Sequence, residues 1–94
     1  MNNTISILQI AWKAGKVVFG DRLIPAIQKN EVFLVIMSSS CGNNRKKKLK
    51  DKCAFYQIPL MEIDALRFNC ISSRSMNSFG ITDKHFVEAI EKKG

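Results

Sequence analysis

The stretch Val32-Phe33-Leu34-Val35-Ile36-Met37 is the longest unbroken apolar run in the chain. A strand with one wet face alternates apolar and polar residues. This run does not, and its β-branched and aromatic residues read as a strand buried on both faces. Such a strand needs helices on each side of its sheet. Ser38-Ser39-Ser40-Cys41-Gly42-Asn43-Asn44 follows as a turn-rich connector. Then Arg45-Lys46-Lys47-Lys48-Leu49-Lys50-Asp51-Lys52-Cys53 carries a helical pattern and six of the chain's fifteen basic residues.

Upstream, Ile5, Leu8 and Trp12 recur at helical spacing, with Asn3 or Thr4 as a cap and Gly15 suited to the left-handed residue past the end. Lys16-Val17-Val18-Phe19 is a short β-prone run closed by Gly20. Asp21 to Asn30 reads as a second helix, but Pro25 is tolerated only in a first turn. That helix is therefore expected to begin near Arg22 to Ile24, leaving Gly20-Asp21-Arg22 as an exposed loop.

Downstream, the basic helix spans about Asn44 to Tyr56, and Leu60-Met61-Glu62-Ile63 reads as a strand. Asp64 caps a brief helix through Ile71, and Ser72 to Ser78 is loop-like. Phe79 to Thr82 alternates like a strand, and Asp83 caps a last helix carrying Phe86, Ala89 and Ile90 on one face. Strict alternation of helix and strand predicts a three-layer α/β/α sandwich around a four-stranded mixed sheet.

Ninety-four residues are too few for two independent cores, so one domain over 1–94 is expected. The net charge of +7 favours a polyanionic partner, nucleic acid being the commonest. Cys41, Cys53 and Cys70 form neither a disulfide framework nor a zinc pattern, and Cys53 falls on the apolar side of its helix. No signal peptide, membrane span, metal site or cofactor motif is read, which predicts a cytoplasmic protein.

Catalysis is not expected either. His85 is the single histidine and lies beside a helix start, where capping or exposure suits it. The eight acids are scattered without a close pair. What remains is a binding surface. Loops leaving one edge of a doubly covered sheet converge on one rim. The Gly20-Asp21-Arg22 loop and the turn ending in Asn43, Asn44 and Arg45 are expected there, with the Arg74 loop beside them. Helix starts at the first two would present amides and a positive dipole end to an anion.

Several segments resemble the kink-turn RNA-binding proteins related to ribosomal proteins L-seven-Ae, L-thirty-e and S-twelve-e, especially the small bacterial YlxQ-type branch. They are Ala14-Gly15-Lys16-Val17-Val18-Phe19-Gly20, Ala26-Ile27, Leu34-Val35-Ile36, Asn44 to Cys53 with Phe55-Tyr56-Gln57-Ile58-Pro59, and Ile81 to Phe86. The resemblance covers almost the whole chain and implies the same sandwich. It implies a non-catalytic, monomeric binder of structured RNA, ribosomal RNA in particular, and association with the ribosome. In that family the loop after the first strand docks on tandem G·A pairs, which maps to Lys16, Gly20, Asp21 and Arg22. A later loop covers an extruded nucleotide, which maps to Ser72 through Met76 with Ser73 and Arg74 as polar contacts. Better-known members carry Gly-x-Asn-Glu followed by lysine. Here Gly20-Asp21-Arg22-Leu23 lacks the Asn-Glu pair, and Pro25 stands where the lysine is expected. That departure motivates an alternative reading, a protein-interaction module on an RNA-binding scaffold.

Overall fold

The structure, a computed structural model, describes residues 4–71 and 76–93. In chain order it comprises α1 (Thr4–Lys13), β1 (Val17–Phe19), a 3₁₀ turn (Gly20–Arg22), α2 (Leu23–Gln28), β2 (Leu34–Ser38) and α3 (Asn43–Tyr56). Then follow β3 (Leu60–Ile63), α4 (Ala65–Ile71), β4 (Ser78–Ile81) and α5 (Lys84–Lys93). The strands form one mixed sheet in the order β1-β4-β2-β3. β4 runs antiparallel to both β1 and β2, whereas β2 and β3 are parallel and joined through α3.

β2 divides the molecule as its sequence predicts. Leu34 and Ile36 enter a core with Leu8 and Ala11 of α1, Phe68 and Ile71 of α4, and Val87 and Ile90 of α5. Val35 and Met37 point the other way, to Leu23, Ala26 and Ile27 of α2 and Leu49 and Cys53 of α3. Every residue of β2 is buried, and each large apolar side chain so placed contributes about 1.5–3 kcal/mol. The sheet is thus covered on both faces, which is the expected three-layer sandwich. Trp12 closes the first core's margin, stacked on Phe19 at 5.2 Å and edge-on to Phe79 at 5.4 Å.

Three helices stop in the same way. Gly15 (φ 71°), Asn30 (φ 57°) and Gln57 (φ 57°) take the left-handed conformation just past α1, α2 and α3. The next amide reaches back to the carbonyl five residues earlier: Lys16 to Ala11, Glu31 to Ala26 and Ile58 to Cys53, at 2.8–3.0 Å. These paired bonds satisfy carbonyls the helix would otherwise leave bare. At the other ends, the Asp64 carboxylate accepts the Arg67 amide at 3.3 Å and Asp83 accepts the His85 amide at 2.9 Å, as capping predicts.

Several boundaries move from the sequence reading: β1 begins at Val17 rather than Lys16, and β4 runs Ser78–Ile81 rather than Phe79 to Thr82. β2 begins at Leu34 rather than Val32: Val32 is buried against the α2 side, but Phe33 is 41% exposed at the strand's entry. Gly20-Asp21-Arg22 is a 3₁₀ turn rather than an irregular loop, because the Leu23 amide bonds back to the Gly20 carbonyl and α2 follows directly. Pro25 then lies third in α2, inside the first turn, where its missing amide costs nothing.

Gly80 sits mid-sheet, opposite Val18 on one side and Val35 on the other. A Cβ there would lie 2.7 Å from Val32 Cγ1 and 3.0 Å from Leu23 Cδ1. Gly80→Ala should therefore lower stability by about 1–3 kcal/mol through overpacking. Urea titration would read this as a reduced midpoint at unchanged slope; an unmoved midpoint would mean that Val32 yields freely.

Candidate nucleic-acid interface

Strand direction decides which loops meet. β1 and β2 both oppose β4, so they point the same way, and β3 follows β2. The carboxyl ends of β1, β2 and β3 and the amino end of β4 therefore share one rim. Phe19 pairs with Phe79, which pairs with Ile36, so Gly20 stands level with Ser78 and Met37. The Gly20–Arg22 turn and the β2–α3 turn at Asn43 lie on that common rim, as expected.

The first rim segment turns on Gly20, whose φ of 64° suits glycine; nothing lies within 4 Å of where its Cβ would be, so the backbone and not space selects it. Asp21 and Arg22 are exposed. The turn stands between two shallow hollows. One, of about 350 Å³, runs along Val17 to Arg22 on the edge strand. The other, of about 280 Å³, lies against Pro25 of α2 and, just past that helix, Lys29 and Glu31.

The second segment is lined with hydroxyls. Ser38 and Ser78 are the buried polar residues among those described, and both belong to this rim. Ser38 Oγ lies 2.9 Å from Ser40 Oγ and accepts the Ser40 amide at 3.1 Å. Ser39 Oγ accepts the Ala65 amide at 3.0 Å, tying the start of α4 to the end of β2. Ser78 Oγ donates to Asn77 Oδ1 at 3.2 Å and receives a long 3.5 Å contact from Arg45 Nη2. The guanidinium is thus held over the amino end of β4, beside the level of Gly20. The serine run straight after the apolar strand was visible in the sequence, but its packing role was not.

α3 opens at this rim with Gly42 as its cap, extended at φ −61°, ψ 151° and without a side-chain oxygen to satisfy the first amides. Asn43 and Asn44 are exposed and Arg45 is half-buried. An uncapped helix start carries about half a positive charge, and here two cationic side chains, Arg45 and Lys46, follow it. Lys46 bridges to Glu62 at 3.1 Å, a pair worth below about 1 kcal/mol at this exposure. It removes the nearest carboxylate of β3 from competition for a cation.

Lys16 is not gathered with these groups. It precedes β1 and so lies at the opposite rim, where its carbonyl accepts the Thr82 amide at 2.9 Å. There the Asp83 carboxyl is held below the usual carboxylate range, first by the His85 amide, then by the His85 ring, with a smaller pull from Lys16. Ser73 and Arg74 lie outside the described residues. Among the described residues, no group of three His, Cys, Asp or Glu could hold a metal ion, and no helix is long and apolar enough to cross a membrane.

This chain is similar to proteins named for RNA binding. It is 29% identical over 86 residues to the RNA-binding protein YlxQ of Enterococcus faecium, covering 89% of this chain and 84% of that protein. With the RNA-binding protein YlxQ of Bacillus subtilis (strain 168) it shares 29% identity over 87 residues, 89% of this chain and 87% of the relative. A solved structure of a protein of unknown function from Bacillus halodurans superposes with a TM-score of 0.86 at 30% identity, covering 98% of this chain and 96% of its own. No family model matches the chain.

Cys41 lies buried under the rim, its amide bonded to the Ser38 carbonyl at 3.0 Å. Burial raises its thiol pKa, although Arg45 and Lys46 pull the other way. Cys53, packed on the sheet side of α3, is pushed by burial to about 11, whereas Cys70 is exposed. At pH 8, iodoacetamide should modify Cys70 first and leave Cys41 and Cys53 protected until unfolding, as peptide mass spectrometry would show. Because the folded state holds the Cys53 proton more tightly than the unfolded chain, its stabilising effect is complete below pH 9 and lost as pH rises toward about 11.

Proposed function

We propose that this chain is a non-catalytic RNA-binding protein that grips structured, kink-turn-like RNA at the rim formed by Gly20–Arg22 and the start of α3. The observation carrying the reading is the meeting, at one sheet edge, of Arg22, Arg45 and an uncapped helix start in a protein of net charge +7. The similarity to proteins named for RNA binding supports the same polyanion. Arg22 supplies a forked donor for a guanine edge or a phosphate, and the Asn43, Asn44 and Arg45 amides a seat for a phosphate. Ser73 and Arg74, between α4 and β4 in the chain, are expected to contribute further polar contacts. Lys16, at the far rim, makes no contact with an RNA seated at the Gly20–Arg22 rim. The natural partner is ribosomal RNA, bound by the monomer on the ribosome in the cytoplasm, with no cofactor.

Structured RNA is read by shape and phosphates, with a few contacts to bases that a kink leaves accessible. Arg22→Ala should accordingly weaken a kink-turn hairpin complex by about 1–3 kcal/mol and a plain duplex far less. Lys47→Ala, on the exposed side of α3, should weaken both alike and flatten the salt dependence by about one unit of slope. Gel-shift titrations across a salt series decide. Equal losses on both RNAs for Arg22→Ala would refute recognition by the turn. A cellular complex that survives ribonuclease would instead favour the protein-interaction reading that the absent Asn-Glu pair motivates.

A further inference from the structure

α3 has a second surface, remote from the rim. Leu49 and Cys53 turn into the core, fixing the helix's rotation. Lys48, Asp51, Lys52 and Phe55 then recur at helical spacing on an outer stripe, and with Tyr56 they line a hollow of about 460 Å³. Phe55 is 78% exposed. Its ring neighbour is Tyr56, at 4.8 Å and 77°, an edge-on arrangement that leaves a ring face open to solvent. Phe55 lies twelve residues along α3 from Asn43, about 18 Å from the rim at helical rise, and the hollow reaches back toward the rim as far as Lys48.

An exposed aromatic flanked by lysines has two common occupants. Protein interfaces bury aromatic anchors but are depleted in lysine at their centres. Here Lys48 and Lys52 flank the ring, on a helix that carries six cations and one acid, Asp51. Cation and aromatic together are what an unpaired nucleic-acid strand requires: phosphates for the charges and a base for the π-face. We infer that this hollow holds an unpaired stretch of the same RNA whose folded part meets the rim, a base stacked on Phe55 and its phosphates on Lys48 and Lys52. The inference rests on the RNA-binding reading above and adds a second contact, whose benefit comes through effective concentration once the first is made.

The test uses one kink-turn hairpin in three forms: blunt, or extended by about ten unpaired uridines at the 5′ or the 3′ end. Fluorescence anisotropy should find at least one extended form bound more tightly than the blunt one by the wild-type chain. Phe55→Ala should cut the extended-form affinity by about 5–100-fold while leaving the blunt affinity unchanged. Phe55→Leu should lose the advantage too, since it keeps apolar bulk without a π-face, and Phe55→Tyr should retain it. The exposure of Phe55 means these variants should melt with the wild type, which circular dichroism checks. Equal binding of blunt and extended RNA by the wild type, with Arg22 still needed, overturns this inference and leaves the rim intact. An advantage kept by Phe55→Leu overturns stacking. Loss of self-association in Phe55→Ala, with every RNA affinity unmoved, would make the hollow a protein contact and overturn it as well. If the wild type binds none of the three RNAs, both readings fall together.

Discussion

The constraint on which the molecule depends is the burial of β2 on both faces. Leu34 and Ile36 cannot share a core with Val35 and Met37, so two helical layers have to form, one on each side. A strand buried in this way reaches its parallel neighbour only by a crossover, and α3 is that crossover. Once α3 leaves β2 at the sheet's carboxyl edge, its first turn is tied to that edge. β4, reversed between β1 and β2, brings Asn77 and Ser78 to the same place. Polar groups therefore collect at the rim as a consequence of how the apolar residues pack.

α3 shows how one helix serves two purposes. Its inward side is set by Leu49 and Cys53, which leaves the consecutive lysines to fan outward. Lys46 turns back to Glu62, Lys47 faces solvent, and Lys48 enters the hollow beside Phe55. At 100° per residue, three neighbours cannot address one ligand. The basic run is thus divided among a local ion pair, a general attraction for polyanions and a distinct aromatic recess. Core packing makes the division; the surface residues only occupy it.

Much of the frame was legible because it rests on period and punctuation. The bounds of β3, the end of α3, the left-handed stop at Gly15, and the caps Asp64 and Asp83 follow from residue types whose local physics is strong. Phe33 misled because an unbroken apolar run does not say where ladder pairing begins; the first β2 pair is Leu34 with Ile81. The 3₁₀ turn was hidden because Gly20-Asp21-Arg22 suits a loop equally well, and only the return bond from Leu23 closes it. The candidate site was less legible. That Arg22 and the Asn43 turn share a rim could be argued from alternation of helix and strand, since it is a matter of direction. The same reasoning from direction puts Lys16, which precedes β1, at the opposite rim. The placing of Arg45 over Ser78 and the recess at Phe55 and Tyr56 depend on register and helix rotation. No local signal encodes those.

The distribution of acids completes the electrostatic argument. Glu62 is engaged by Lys46 and Asp64 by Arg67 at 3.4 Å, while Asp83 bonds His85 at 3.0 Å. The two lysine and arginine pairs cancel locally, so positive charge is left on the groups they do not engage, most densely along α3, whereas Asp21 offsets part of the charge of its neighbour Arg22. At physiological salt a charge is felt over about 8 Å, whereas the molecule measures 31 × 25 × 23 Å. A polyanion thus responds to local groups of charge, of which α3 carries the densest, and not to the net charge as a whole. Attraction along the lysines would hold many nucleic acids for a short time. On the reading proposed above, discrimination among them would fall to the few donors whose directions the sheet fixes, because only a partner that matches Arg22, Arg45 and the α3 amides together would satisfy all of them in one pose.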